Sequence, residues 1–162
     1  MKTTSLLESI HVVRENEKRV AEFYADAAEK TGSPAGRELF GELVKFENFH
    51  FHWLTVLEKS LKEKGDYIFY EGRQFPLPPV IEPTAAEEPR HQSVLDIIER
   101  ARQLERQSEK AYSDLAREIT DPQGRAMFKK LAGEERNHFR ILEEASLGLE
   151  HSKAWRWRPN LA

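Results

Sequence analysis

The sequence predicts an all-α protein, a four-helix bundle made of two duplicated antiparallel helical hairpins joined by a long crossover. Three observations predict this fold: four segments with apolar residues at helical spacing, a repeat between the two halves, and a proline-rich stretch between them. The chain of 162 residues suffices for one domain with a sizeable core. We expect the bundle to occupy residues 1–150 and a tail to follow at 151–162.

The repeat appears when the sequence is shifted by 88 residues, and the alignment needs no gap. Between positions 17 and 54, 13 of 38 residues equal their shifted partners, whereas chance would give roughly two or three. The identical positions are Glu17, Tyr24, Asp26, Ala28, Pro34, Gly36, Arg37, Phe40, Leu43, Glu47, His50, Phe51 and Leu54. Two unrelated amphipathic hairpins would share leucines, but not Glu, His, Tyr and Pro in one register.

The first hairpin is predicted from apolar spacing and from turn residues. Helix one should cover residues 5–31, and helix two should cover residues 34–64. Ser33 is the predicted N-cap and Pro34 the first residue of helix two. Gly65 marks the end of that helix.

Residues 66–90 contain five prolines and no helical period, which indicates a crossover between the hairpins. Some 25 extended residues can span a helix of about 40 Å. A disordered linker between separate hairpins is the alternative; we disfavour it because a lone hairpin would bury Phe40, Phe49 and Phe51 poorly. Helix three should cover residues 92–120, and helix four residues 122–146, with Asp121 as N-cap.

The predicted site comes from acidic residues and histidines inside the apolar stripes. Glu17 and Glu105 lie in the stripes of the odd helices, while the even helices each carry a Glu-x-x-His motif. A Glu and a His three residues apart share one face of a helix. Burying these charged groups costs free energy unless a partner compensates them. Two-metal sites in helical bundles use this ligand set: one Glu from each of two helices and a Glu-x-x-His motif from each of the other two. The predicted ligands are Glu17, Glu47, His50, Glu105, Glu135 and His138.

Charge and ligand chemistry favour two divalent ions, because four carboxylates balance two such cations. Imidazole suits iron, manganese or zinc. The chain has no cysteine, which excludes thiolate ligands, disulfides and iron–sulfur clusters. We expect a diiron centre, with Mn or Zn as substitutes.

These residues resemble the rubrerythrin branch of the ferritin-like superfamily over residues 5–146. The resemblance rests on Phe23-Tyr24, the two Glu-x-x-His motifs and Glu134-Glu135-Arg136-Asn137-His138. It implies a ferritin-like bundle in which Glu47 and Glu135 bridge two irons, with Glu17, His50, Glu105 and His138 as terminal ligands; these six residues would carry the catalysis.

The chain departs from full rubrerythrins in two respects. It lacks their four-cysteine rubredoxin domain, so an external electron donor, rubredoxin-like or a reductase, would be needed. Ser108 stands where the classical members have an additional Glu after the third-helix ligand.

Other residues receive simpler interpretations. Tyr24 and Tyr112 lie two turns from Glu17 and Glu105, and we expect their hydroxyls to bond carboxylates of the site. His52 points about 200° away from His50 around the helix and is predicted to be exposed. Glu134 and Glu42 are also predicted to be exposed.

The first functional hypothesis is a rubrerythrin-type protein that oxidises ferrous iron and reduces peroxide or oxygen, with a role in oxidative stress. The alternatives are iron handling by a ferroxidase or store, and a metal-bound helical scaffold without catalysis. The net charge of −3 gives no reason to expect nucleic acid. No apolar run suits a membrane span or a signal peptide, so we expect a cytoplasmic protein. We also expect a homodimer, with the Trp/Arg tail packing on its own domain or on a second subunit.

Overall fold

The fold was analysed in a computed structural model, which describes the backbone of residues 3–73, 79–82, 91–152 and 156–159 and the side chains of residues 5–73 and 94–148. Four helices form two hairpins: α1 (Thr3–Lys30) packs on α2 (Pro34–Lys64), and α3 (His91–Glu118) packs on α4 (Pro122–Ser152). Helix α1 also contacts α3. The predicted four-helix bundle is confirmed.

The hairpin turns follow the predicted capping. The Ser33 hydroxyl accepts from the Gly36 N–H at 2.9 Å, and Asp121 accepts from the Gln123 and Gly124 N–H groups. Gly65 ends α2 in the left-handed region at φ 75°, and its N–H bonds carbonyls of the last turn. Helix α4 continues about one and a half turns beyond the predicted end at residue 146.

The core consists of two apolar clusters along the bundle. One includes Leu39, Phe40 and Ile98, and the other includes Leu57, Phe128 and Ile119. Tyr24 belongs to the first cluster and Tyr112 to the second. The predicted site residues of α1 to α4 fall between these clusters in each helix, so they are enclosed by apolar packing at both ends.

The first part of the crossover, residues 66–73, runs along α4. Tyr67 lies over Gly124, where an added Cβ would come within 2.5 Å of the tyrosine ring. Further along, Lys130 donates to the Tyr70 carbonyl at 3.2 Å, and Tyr70 itself is buried. This path agrees with a crossover that follows the length of the bundle; residues 74–78 and 83–90 lie outside the described residues.

A short antiparallel ribbon was not predicted. Strand β1 (Pro79–Glu82) pairs with β2 (Arg156–Pro159), with Val80 opposite Arg158 and Ile81 opposite Trp157. The ribbon joins the crossover to the C-terminal tail of the same chain. The backbone of residues 156–159 thus pairs with the crossover and contacts α2 of its own chain.

Among the helices that the structure describes, none combines the length and apolar character that crossing a membrane requires.

Candidate metal centre

All six predicted ligands meet in the middle of the bundle. Glu17, Glu47, His50, Glu105 and Glu135 are fully buried, and His138 is 1% exposed. The helical period brings them there, because each follows the apolar stripe of its own helix. Burial of six ionisable side chains within one apolar core calls for a compensating interaction.

The ligand atoms form two overlapping groups, each within 4.8 Å. One group consists of Glu17, Glu47, His50 and Glu135, and the other consists of Glu47, Glu105, Glu135 and His138. Glu47 and Glu135 belong to both groups, while the remaining residues belong to one. The arrangement can hold two ions that share two carboxylates, which is the pattern of carboxylate-bridged bundle sites.

Each imidazole turns its Nδ1 towards several carboxylates. His50 Nδ1 lies 2.9 Å from Glu135 Oε1, 3.5 Å from Glu47 Oε2 and 3.7 Å from Glu17 Oε2. His138 Nδ1 likewise lies 3.2–3.5 Å from oxygens of Glu47, Glu105 and Glu135. One nitrogen carries at most one proton, so it cannot serve three carboxylates at once.

Several carboxylate oxygens therefore lack a hydrogen-bond donor. They are Oε2 of Glu17, Glu47 and Glu105 and both oxygens of Glu135. A buried acceptor without a partner costs about 1–3 kcal/mol, and more when it is charged. A cation among these oxygens would give each of them a partner, so the residues present fit a metal ion. Two carboxyl-rich groups with one imidazole each suit iron, manganese or zinc.

The tyrosines connect the two halves of the site reciprocally. The Tyr24 hydroxyl donates to Glu105 Oε1 at 2.5 Å, and the Tyr112 hydroxyl donates to Glu17 Oε1. Each tyrosine hydroxyl thus bonds a carboxylate of the site, as expected, and the structure shows that this carboxylate belongs to the other hairpin. Both phenol groups are buried and close to carboxylates, which raises their pKa well above the usual value.

Without metal, the four carboxyl groups divide into two classes. Burial and the charge of Glu17 raise the pKa of Glu47 to about 8. Burial and the charges of Glu105 and Glu17 also raise the pKa of Glu135 well above its usual value. Burial opposes ionisation of Glu17 as well, but its neighbours Glu47 and His50, with the hydrogen bond from Tyr112, lower its pKa to about 2. Burial likewise opposes ionisation of Glu105, but its interactions with Glu135, His138 and Tyr24 lower its pKa.

The two imidazoles complete this arrangement. Burial alone would lower the pKa of His50 and His138, but neighbouring carboxylates, chiefly Glu135 and Glu105 respectively, raise both pKa values well above the usual value. In the metal-free site these raised pKa values favour bound protons, which offset part of the charge of the buried carboxylates.

Glu134 was predicted to be exposed, and this prediction was wrong. Its side chain is 5% exposed and lies beside the site, with Oε2 at 3.3 Å from His50 Nε2. The repeat contained the missing signal, because position 134 corresponds to Phe46, which is a core residue in the first hairpin. His52 is exposed, as predicted, and Glu42 is partly exposed.

Residues of the crossover also reach the site, and sequence reasoning did not place them there. The Tyr70 hydroxyl donates to Glu134 Oε2 at 2.7 Å, and the Arg73 N–H donates to Glu134 Oε1. Gly72, at φ 89°, turns the backbone so that this N–H faces the carboxylate. On the outer side of Glu134 lies a pocket of about 400 Å³ whose walls include Arg73, Lys130, Arg136, Asn137 and Arg140.

Ser108 is buried, and its hydroxyl accepts from Asn16 Nδ2 at 3.2 Å. The side chain of this position therefore bonds a neighbouring helix and supplies no additional carboxylate to the site.

Comparison with known proteins supports the fold and leaves the activity open. No family model matches the chain, and no curated protein matches it. A solved structure, a hypothetical protein from Pyrococcus furiosus, is similar at a TM-score of 0.70 and 25% identity, covering 90% of each chain. The similarity extends over nearly the whole bundle.

Proposed function

We propose that this chain is a carboxylate-bridged diiron protein of rubrerythrin type, which oxidises ferrous iron and reduces peroxide or oxygen with electrons from an external donor. The observation that carries the proposal is the pair of buried four-residue groups that share Glu47 and Glu135.

The ligand roles follow from the two groups. Glu47 and Glu135 would bridge the two ions, Glu17 and His50 would complete one position, and Glu105 and His138 the other. If two ferrous ions were bound there, they would supply the two electrons that, with two protons, reduce one hydrogen peroxide to two waters. Four carboxylates and an oxygen-rich environment favour the ferric state that results.

The remaining residues keep the site ordered and dry. Tyr24 and Tyr112 hold the terminal carboxylates through their hydroxyls, so these ligands need little reorganisation when an ion binds. The apolar clusters at both ends exclude bulk water. The Glu134 side chain separates this pocket from His50. A pocket in this position suits the entry of a small polar molecule such as peroxide.

The test is anaerobic loading with ferrous iron, followed by addition of either hydrogen peroxide or oxygen. We expect two irons per chain, a rapid rise of ferric absorbance with peroxide, and its loss when a reductant is added. Tyr24→Phe with Tyr112→Phe should retain both irons while slowing the reaction, because the carboxylates lose their anchors.

Other outcomes would support other functions. Iron far below two per chain together with tight zinc binding would favour a metal-bound scaffold. Oxidation without reductant-driven cycling, in a large assembly by size-exclusion chromatography, would favour iron storage.

A further inference from the structure

The two halves of the repeat differ at a position that contacts the histidines. The shift of 88 residues maps Phe46 onto Glu134, and each precedes a bridging carboxylate. In the bundle each lies against the histidine of the opposite hairpin: Glu134 approaches His50, whereas the Phe46 ring lies edge-on at 4.9 Å from the ring of His138. One imidazole thus faces a carboxylate at this position, and the other faces a phenyl ring.

Glu134 is held in place by a segment that is not part of the repeat. Its two oxygens accept from the Tyr70 hydroxyl and the Arg73 N–H, both from the crossover. Two residues of the crossover therefore fix the position of the Glu134 carboxylate beside His50. An anchored carboxylate can orient an imidazole, since rotation of the ring would cost the contact at Nε2.

The two nitrogens of His50 face different environments. Nδ1 faces Glu17, Glu47 and Glu135, while Nε2 faces Glu134 Oε2 at 3.3 Å. A neutral imidazole keeps one proton, and the partner of one nitrogen decides whether the other has a free lone pair. A proton kept on Nε2 by Glu134 leaves Nδ1 available as a ligand atom.

We propose that Glu134 is a positioning residue that holds the His50 proton on Nε2, aims Nδ1 at the bridging carboxylates and strengthens metal binding at the His50 position. The inference rests on the proposed metal centre, but not on its redox activity. The crossover acts in this scheme through Tyr70 and Arg73, which fix Glu134. Loss of such an outer partner typically costs 10–100-fold in metal affinity.

The test is stepwise titration of the full chain with Mn²⁺, comparing wild type with Glu134→Gln and the control Glu144→Gln, an exposed residue of the same helix. We expect Glu134→Gln to weaken one of the two binding steps by roughly 10–100-fold and to leave the other unchanged. The control should bind like wild type. Equal affinities in Glu134→Gln and wild type would overturn the role of Glu134.

A second readout uses the wild-type protein and does not depend on the folding of a variant. In the Zn²⁺-loaded chain, ¹⁵N–¹H correlation spectra of the imidazoles should show His50 protonated at Nε2 and metal-bound at Nδ1. Protonation at Nδ1 would overturn the proposal. If wild type binds no ion, the metal centre itself fails, whereas two ions with no peroxide reaction would leave the role of Glu134 intact and refute only the redox function.

Discussion

Glu47→Gln should abolish stable binding of both metal ions while the protein remains folded. Glu47 belongs to both ligand groups, so its amide replacement removes a bridging oxygen from each ion. We expect metal affinity to fall by more than the roughly 10–100-fold that follows loss of a residue bonded to a metal ligand. The fold should survive because Glu47, with a pKa of about 8, is mostly uncharged at pH 7 in the metal-free site, as glutamine is.

Thermal unfolding with and without Mn²⁺ measures this effect. At a free metal concentration 100 times the dissociation constant, binding stabilises by about 2.7 kcal/mol, or roughly 5–10 °C in Tm for a chain of this size. Wild type should show this shift and Glu47→Gln should not. Glu42→Gln, on the same helix and bonded to Lys45 at the surface, is the matched control and should behave like wild type. A full metal-dependent shift in Glu47→Gln would show that Glu47 is not a ligand.

Metal binding should release protons, and affinity should rise steeply with pH. Binding requires carboxylates and neutral imidazoles, whereas the raised pKa values of Glu47, Glu135, His50 and His138 favour their protonated forms in the metal-free site. These four groups can together release up to four protons when two ions bind. Since the pKa values of these groups are raised, protons compete with metal throughout the neutral range and less so as pH increases.

Isothermal titration in buffers with different ionisation enthalpies counts these protons. We expect several protons per two ions at pH 7 and fewer at pH 9, because Glu47, with a pKa of about 8, has then lost its proton. Heats that are identical in all buffers, and an affinity that does not change between pH 6 and pH 8, would contradict the assignment of the protonated groups.

The helices and the central site were predictable because both depend on periodic patterns. Glu17 and Glu105 interrupt apolar stripes, and a polar residue in such a stripe must lie in the core wherever its helix packs. The gap-free repeat then related the two hairpins, so two half-sites with the same ligand residues could be expected to meet. The caps at Ser33 and Gly65 were equally visible, since their roles depend on local geometry.

The surroundings of the site could not be predicted in the same way. The crossover has no period, so nothing in its sequence places Tyr70 and Arg73 beside Glu134. The ribbon of β1 and β2 pairs segments more than 70 residues apart, and short irregular segments carry no register signal. Glu134 was predicted to be exposed because it lies beside the apolar stripe and not on it, although the partner position in the repeat holds Phe46.

The most direct measurement is anomalous diffraction from crystals of the full chain grown with Mn²⁺. The account predicts two peaks, about 3.5–4 Å apart as in other two-metal sites, with Glu47 and Glu135 between them and one histidine at each. A single peak would contradict it. Ions bound only at the surface, with the Glu17 and Glu105 carboxylates bonded to tyrosine alone, would also contradict it.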